Sequence, residues 1–240
     1  MTKPMDEIKD RVAAVVVTYN RAEMLRQCLV SLQKQTMPCD ILVVDNASTD
    51  DTQALVQRAA QHDASIFYRN TGENLGGAGG FNFGMRWAVE AGYAFVWVMD
   101  DDCFPEPVAL EKLLDADRLL QGEYGWLSSV ALWTDGRECR MNRPKIKKNF
   151  YDRIELLRDG ILLAEQATFV SLFLKAETIR AVGLPVKEFF IWGDDIEYTR
   201  RITIRGNAVL CGGPEPSHPC YEKQQRKQSG GGFRGASGPL

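Results

Sequence analysis

The chain has 240 residues, and its formal net charge at pH 7 is −3. With 45% hydrophobic and 25% charged residues, the composition argues against wholesale disorder, a collagen-like chain and a coiled-coil fibre. The length suffices for one α/β domain, or two small ones, with a sizeable buried core. The balance of charge gives no indication of a nucleic-acid partner, because charge-driven binding of nucleic acids requires an excess of cations.

Cysteine spacing and the polarity of the first residues indicate the compartment. The six cysteines form no CxxC pair and no Cys/His spacing of the zinc-finger type, which argues against structural zinc. The first residues are polar, and no apolar run approaches the roughly 20 residues of a membrane span. We therefore expect a cytoplasmic protein with reduced thiols.

Short apolar runs alternate with helical patterns in the first half of the chain. Strands are predicted at residues 12–17, 41–44, 66–69 and 94–99. Helices are predicted at residues 22–35 and 52–61, and a third follows the Gly-rich stretch 74–81 and ends near residue 92. This alternation predicts a doubly wound, mostly parallel sheet whose ligands bind beyond the carboxyl ends of the strands.

The second half is less regular and predicts mixed strand pairing. Its predicted strands are 126–132 and 168–174, and its predicted helices are 176–182 and 194–205. Residues 222–240 combine Lys, Arg, Gln and Ser with five glycines, a composition typical of a flexible tail. The predicted organisation is thus one catalytic domain, residues 1–221, followed by a basic Gly-rich tail, residues 222–240.

Three successive carboxylates, Asp100, Asp101 and Asp102, follow the fourth predicted strand. Two such charges about 4 Å apart repel by roughly 4 kcal/mol at an effective dielectric of about 20, so the cluster requires solvent, protons or a cation. In an extended segment the first and third side chains point to the same side, which predicts a DxD site for Mg²⁺ or Mn²⁺. The alternative is a solvated acidic loop, or the N-terminal cap of a helix whose start Pro105 and Pro107 predict.

Six motifs in fixed order resemble the inverting glycosyltransferases of family two, which have the GT-A fold. They are VVVTYNR at 15–21, VVDNASTD at 43–50, NLGGAGGF at 74–81, WVMDDD at 97–102, FFIWGDDIEYTRR at 189–201 and SHP at 217–219. The pattern is most similar to bacterial galactofuranosyltransferases, which use UDP-galactofuranose, and dTDP-rhamnose-dependent rhamnosyltransferases share much of it. The resemblance implies a doubly wound, mostly parallel central sheet, a small mixed second sheet and helices on both faces.

The resemblance also implies a set of residues that bind the sugar nucleotide. These are Thr18, Asn20, Arg21, Asp45, Asn74, Gly76, Gly77, Gly79 and Asp101. A carboxylate at Asp45 can accept a hydrogen bond from the uracil imide, and the glycines would let the backbone approach the ligand closely. The structural alternatives are a turn with a helix cap after the second strand and a mobile Gly-rich connector.

Catalysis and acceptor binding are assigned by the same resemblance to the WGDD segment. Asp195 is the implied base that removes the acceptor hydroxyl proton, while Asp194 or Glu197 would orient acceptor hydroxyls and Trp192 would stack on a sugar. The alternative is that these carboxylates are simply the acidic first turn of a helix. His218 is the implied third metal ligand beside Asp100 and Asp102, which favours Mn²⁺ over Mg²⁺.

A local excess of positive charge lies between residues 133 and 153. It predicts either a solvated mobile loop or a surface that faces the diphosphate of a lipid-linked glycan or an anionic membrane.

The resemblance implies a metal-dependent inverting enzyme that transfers galactofuranose to a hydroxyl of a cell-surface polysaccharide precursor. We expect it in the cytoplasm, with a peripheral location on the inner face of the plasma membrane as a further expectation. The alternatives are a rhamnosyltransferase, a sugar-nucleotide pyrophosphorylase and a non-catalytic sugar-nucleotide binding module. A pyrophosphorylase would carry a Gly-rich phosphate loop directly after the first strand, where TYNR stands.

Overall fold

A computed structural model describes residues 11–206, 208–211 and 221–223. The strands in this part are β1 Val12–Thr18, β2 Asp40–Asp45, β3 Ile66–Asn70, β4 Phe95–Asp100, β5 Cys103–Pro105, β6 Trp126–Ser129, β7 Leu132–Trp133, β8 Lys145–Ile146, β9 Ile161–Gln166, β10 Leu172–Lys175, β11 Ala208–Cys211 and β12 Tyr221–Lys223. The α-helices are α1 Ala22–Gln33, α2 Thr52–His62, α3 Gly76–Glu90, α4 Ala109–Leu119, α5 Ala176–Val182 and α6 Asp194–Thr203. Short 3-10 helices lie at Arg140–Asn142, Phe150–Asp159 and Lys187–Phe189.

The central sheet has nine strands in the order β3-β2-β1-β4-β10-β6-β11-β9-β8. β1 pairs in parallel with β2 and β4, and β2 pairs in parallel with β3. β9 and β10 run against the other strands of this sheet. A small sheet, β5-β12-β7, pairs β12 antiparallel with β5 and parallel with β7. The predicted α/β class, with a mainly parallel sheet, is confirmed.

Both faces of the central sheet are covered, as the continuous apolar strands require. Along β1, the side chains of Val12, Ala14 and Val16 enter one core cluster. The alternate residues Ala13, Val15 and Val17 enter the other. The first cluster contains the apolar faces of α1, α4 and Val56 of α2, and the second contains those of α3, α5 and α6.

The strand predictions for the second half need correction, whereas the predicted helices 176–182 and 194–205 correspond to α5 and α6. The predicted strand 126–132 is divided into β6 and β7. Only the end of the predicted strand 168–174 is extended, as β10, and β9 was not predicted at all. Short strands that pair with distant segments carry little local signal, because their stability comes from cross-strand packing and not from propensity.

Two predictions concern residues at or beyond the edge of the described part. Strand β12 includes Glu222 and Lys223, which the sequence had assigned to the tail. The rest of the predicted tail, 224–240, and His218 lie outside the described residues.

Candidate active site

The carboxyl ends of the parallel strands bring the motifs to one edge of the sheet. The register pairs Thr18 of β1 with Asp45 of β2, and it pairs Val17 of β1 with Asp100 of β4. Three segments far apart in sequence therefore end side by side. This is the edge at which ligands of open α/β sheets bind.

An acidic cluster lies where β4 ends. One ligand atom each from Asp100, Asp102 and Cys103 lies within 4.8 Å of the other two. Carboxylate oxygens are the ligands that Mg²⁺ and Mn²⁺ prefer, whereas a thiol suits softer metals. The pair of carboxylates therefore fits a hard divalent cation, with the Cys103 thiol as a buried neighbour.

Asp101, the middle carboxylate, is buried and held by two side chains from the loop after β1. The Thr18 hydroxyl donates to it over 2.8 Å, and Arg21 donates to it over 2.8 Å. The same guanidinium nitrogen also donates to Asp102 over 3.1 Å. Burial raises the pKa of Asp101 to about 6, against the opposing effects of Arg21 and Thr18.

Thr18, Arg21 and Asp101 were all predicted to bind the sugar nucleotide. Their mutual contacts give them a second role, because together they fix the loop after β1 against the acidic cluster. Arg21 also places a positive charge beside Asp101 and Asp102, which lowers the repulsion between the carboxylates.

Asp45 is fully buried, and both of its carboxylate oxygens accept hydrogen bonds. One oxygen accepts from the Ser48 amide over 2.8 Å. The other accepts from the Tyr68 hydroxyl over 2.6 Å and from the Asn70 amide over 3.3 Å. Burial and this carboxylate raise the pKa of Tyr68 to about 12. The sequence did not single out Tyr68 or Asn70, although their alternation at the end of β3 placed both side chains on one face.

Asn20 joins the loops that follow β1 and β2. Its backbone amide donates to the Ser48 hydroxyl over 2.8 Å, and its side-chain oxygen accepts from the Thr49 amide over 2.7 Å. Its φ of +52° lies in the left-handed region, which Asn tolerates better than most residues. The two loops that were predicted to line the nucleotide pocket are thus one connected unit.

The Gly-rich stretch is the start of helix α3, which corrects the prediction of a loop that brings its backbone to the ligand. A Cβ built at Gly79 would lie 2.5 Å from the Leu75 Cβ, and one at Gly80 would lie 2.5 Å from Val17. These glycines let the helix pack closely. Of the four glycines in this stretch, only Gly77 has open space in the Cβ direction.

The beginning of α3 is also joined to the WGDD segment. Asn74 accepts a hydrogen bond from the Gly76 amide over 2.9 Å, and the Phe190 carbonyl accepts one from the Ala78 amide over 3.1 Å. Gly76 has a φ of +70°, and a Cβ there would lie 2.2 Å from the Phe190 oxygen. Glycine is therefore required at position 76, because the backbone there lies too close to the backbone of Phe190 for a side chain to fit.

Four consecutive apolar side chains, residues 189–192, are exposed beside this contact, and Trp192 is 78% exposed. Phe190, Trp192 and Gly193 all have positive φ angles. This backbone turns sharply into α6, which begins at Asp194. Trp192, which was predicted to bind the acceptor, is thus exposed to solvent just before the acidic first turn of α6.

Asp194 and Asp195 occupy the first turn of α6 in different surroundings. Asp194 is buried, and burial followed by the charges of Asp195 and Asp100 raises its pKa to about 6. Asp195 is partly exposed, and its carboxylate accepts from the Ile196 amide over 2.7 Å. The influence of Asp100 on Asp194 indicates that the helix start lies near the acidic cluster at the end of β4.

Glu197, the third predicted acceptor residue, is paired with Arg201 one turn later. Both carboxylate oxygens accept from the guanidinium, over 2.8 and 2.9 Å. Arg201 also donates to the carbonyl groups of Val182 and Leu184. Glu197 therefore helps to fix α6 against the end of α5, and its contact with an acceptor stays a prediction.

Comparison with known proteins identifies the family. Residues 13–119 match the family model described as glycosyl transferase family 2. The chain is 31% identical over 231 residues to galactofuranosyltransferase GlfT1 of Mycolicibacterium smegmatis, an alignment that covers 92% of this chain and 74% of that protein. The chain belongs to glycosyltransferase family 2. It is also 30% identical over 208 residues to an undecaprenyl-phosphate mannosyltransferase of Micrococcus luteus, covering 83% of this chain and 81% of that protein.

Solved structures agree on the fold. S. aureus TarS has a TM-score of 0.67 at 17% identity, with 90% of this chain and 37% of that chain covered. The mannosyltransferase PcManGT from Pyrobaculum calidifontis, in complex with GDP-Man and Mn²⁺, has a TM-score of 0.63 at 22% identity, with 91% and 58% covered. This chain therefore spans well under two thirds of these structures. The glycosyltransferase has the GT-A architecture that the sequence predicted.

None of the helices in the described ranges has the length and apolar character that a bilayer span requires.

Proposed function

We propose that this glycosyltransferase transfers galactofuranose, with inversion, from UDP-galactofuranose to a hydroxyl of a lipid-linked cell-surface polysaccharide precursor. The observation that carries the proposal is the position of a partly exposed carboxylate, Asp195, at the start of α6, directly after the segment whose Phe190 carbonyl accepts a hydrogen bond from Ala78 at the start of α3. The similarity to galactofuranosyltransferase GlfT1 supports the donor sugar.

In the proposed reaction, Asp195 accepts the proton of the acceptor hydroxyl. The hydroxyl oxygen then forms a bond to the anomeric carbon, and the bond from that carbon to the UDP oxygen breaks. The electron pair of the broken bond leaves on UDP, and the product is a glycoside of inverted configuration. Asp195 suits this role better than Asp194, because Asp194 is buried and a base must reach its substrate.

Asp100 and Asp102 would hold a divalent cation, with His218 as the proposed third ligand. Such an ion, when bound, neutralises the negative charge that develops on a departing diphosphate. The proposed choice is Mn²⁺ or Mg²⁺, which the two carboxylates fit. Asp101 would have an indirect role, because its hydrogen bonds with Thr18 and Arg21 keep the acidic segment in place.

The acceptor would bind on the other side of the donor, against the exposed segment 189–192. An exposed indole such as Trp192 offers a flat apolar face for a sugar ring. A polyprenyl-linked acceptor and a location at a membrane surface are supported by similarity to the undecaprenyl-phosphate mannosyltransferase of Micrococcus luteus. That similarity also makes a mannosyl donor the second candidate.

The test is a panel of UDP-galactofuranose, dTDP-rhamnose and GDP-mannose, each assayed for nucleotide release with candidate acceptor glycans and with Mn²⁺, Mg²⁺ or chelator. We expect acceptor-dependent release of UDP that chelator abolishes. Faster release from dTDP-rhamnose or GDP-mannose would replace the proposed donor. Binding of nucleotide sugars with no transfer under any condition would identify a binding module instead.

Asp195→Asn tests the base. We expect a rate loss of about 10²- to 10⁴-fold with unchanged UDP affinity in calorimetry, because the amide cannot accept the proton but keeps the shape. Glu177→Gln is the matched control, because Glu177 lies in the first turn of another helix, α5, and it should retain full activity. Full activity of Asp195→Asn would exclude Asp195 as the base.

A further inference from the structure

The segment between β7 and β9 carries an exposed surface that combines apolar side chains with cations. We define the docking surface as residues 140–158. Its exposed large apolar side chains are Met141, Tyr151, Ile154 and Leu157. Clustered exposed apolar residues bordered by charge are typical of interaction sites, whereas single ones are ordinary.

The apolar side chains are fixed in their outward position. Ile154 and Leu157 lie three residues apart in the 3-10 helix Phe150–Asp159, and residues with that spacing share one side of such a helix. Leu156 of the same helix is buried in the core, and Phe150 packs against that core. The helix is kinked at Arg153, and Ile154, Leu156 and Leu157 all follow the kink. Because Leu156 anchors this part of the helix inward, Ile154 and Leu157 face solvent.

Positive charge dominates the docking surface, with seven Lys and Arg against two Asp and Glu. Three of the cations are paired, Arg143 with Glu138, Lys145 with Glu165 and Arg153 with Glu155. Among the residues that the structure describes, the other four have no ion pair with a carboxylate. These four are Arg140, Lys147, Lys148 and Arg158.

The strand directions place the part of the docking surface that follows β8, residues 147–158, at the active-site edge of the sheet. β8 runs antiparallel to β9, which is antiparallel to β11. β11 is parallel to β6, and β10 is antiparallel to both β6 and β4. β8 therefore points the same way as β4, so the chain leaves β8 at the edge where Asp100 lies. Five strand spacings of about 4.8 Å separate the two strands, a distance of about 24 Å.

We propose that residues 140–158 dock this enzyme on an anionic lipid bilayer. Unpaired cations attract the negative surface, and the apolar side chains between them enter the interfacial region. The inference rests on the proposed function only in that a lipid-linked acceptor would be presented at such a surface. Docking at this edge would hold the active site within reach of an acceptor headgroup.

The experiment is co-sedimentation of the full chain with vesicles of phosphatidylglycerol and phosphatidylcholine in equal parts, and with vesicles of phosphatidylcholine alone. We expect binding to the anionic vesicles that weakens as salt is added, since salt screens surface charges. Lys147→Gln with Lys148→Gln should lower the affinity about thirtyfold, since each cation contributes about 1 kcal/mol. Separately, Ile154→Ser with Leu157→Ser should also lower the affinity, because less apolar area is buried in the interface. Thermal unfolding confirms that each variant is folded.

Matched controls change the same residue types elsewhere. Lys34→Gln with Arg58→Gln removes two exposed cations, and Leu119→Ser with Ile204→Ser removes two exposed apolar side chains. Both controls should bind vesicles as the unchanged protein does. Equal binding by the docking variants, or equal loss in the controls, would overturn the proposal. So would self-association that the docking variants abolish in the absence of any vesicle binding, because the occupant would then be a second copy.

Transfer to a water-soluble acceptor separates this inference from the proposed function. The docking variants should keep full activity in that assay. Vesicle binding without transfer from any donor would contradict the proposed function alone. Transfer without vesicle binding would contradict the docking surface alone.

Discussion

The amide of Ala78 donates a hydrogen bond to the carbonyl oxygen of Phe190, and the two atoms lie 3.1 Å apart. This contact joins the start of α3 to the segment that leads into the acidic start of α6. It is possible only because Gly76 has no side chain, since a Cβ there would lie 2.2 Å from the same oxygen. The motifs that are proposed to bind the donor and the acceptor are thereby joined through the backbone.

Gly76→Ala should displace the segment 189–193 and destabilise the fold. The left-handed φ of +70° costs an L-residue about 1–2 kcal/mol, and the contact with Phe190 adds to it. The free energy of unfolding, measured with denaturant, should fall by at least about 1 kcal/mol, and the KM for the acceptor should rise. Gly77→Ala is the stability control, because nothing lies within 4 Å of its Cβ position. Equal stability of both variants would contradict this role of Gly76.

Thr18→Val should destabilise the acidic segment without changing its charge. The valine keeps the volume of Thr18 but removes the hydroxyl that donates to buried Asp101. Loss of one partner of a buried polar group costs about 1–3 kcal/mol, which denaturant unfolding would measure. Thr49→Val, at an exposed position, should cost less than about 0.5 kcal/mol. If Thr18→Val were equally harmless, the hydroxyl would have no part in supporting Asp101.

Asp194→Asn should stabilise the protein at high pH and much less at low pH. The pKa of Asp194 is raised from 3.8 to about 6, so the folded state binds this proton more tightly than the unfolded state does. Ionisation therefore lowers stability progressively between about pH 4 and pH 6; the full cost remains at higher pH and is absent below about pH 4. The difference in the free energy of unfolding between variant and unchanged protein should grow over this range and then stay level, at no more than about 3 kcal/mol.

Asp115→Asn, which changes an exposed carboxylate of α4, is the control for this pH series. It should show no comparable growth between the same pH values. A constant difference between Asp194→Asn and the unchanged protein would mean that Asp194 titrates normally.

Glu197→Gln distinguishes an acceptor contact from a structural ion pair. The pair with Arg201 is partly exposed, and such pairs contribute about 1 kcal/mol or less. If Glu197 orients the acceptor as predicted, the acceptor KM should rise while the melting temperature changes little. Glu23→Gln, which weakens an exposed pair on α1, should leave the KM unchanged. An unchanged acceptor KM in Glu197→Gln would restrict Glu197 to its contact with Arg201.

Much of the first half of the fold could be predicted from the sequence. Runs such as 12–17 are too apolar to be anything but buried, and their alternation with helical patterns indicates parallel strands. Parallel strands end at one edge, so the motifs that follow them were predicted to meet. The ligand atoms of Asp100 and Asp102 lie within 4.8 Å of each other as predicted, but β4 ends at Asp100 and residues 101 and 102 form a turn, so the period of two of an extended segment is not the cause.

The glycines at the start of α3 show where the local sequence pattern could not predict the structure. A Gly-rich stretch is compatible with a loop or with a tightly packed helix start, and only the neighbours decide. Here Gly80 meets Val17 and Gly76 meets Phe190, residues that come from opposite ends of the domain's sequence. The sequence therefore predicted the start of α3 after the Gly-rich stretch, whereas α3 begins within it, at Gly76.

By itself, the sequence determined the class of fold, the family and the edge of the sheet where the chemistry lies, because apolar periodicity and residue order are local properties. Only the tertiary structure decided which polar groups support one another. Thr18 and Asp101 are 83 residues apart, and Tyr68 meets Asp45 only through the pairing of β2 with β3. Such partners depend on strand order and register, which the folded chain sets through its packing as a whole.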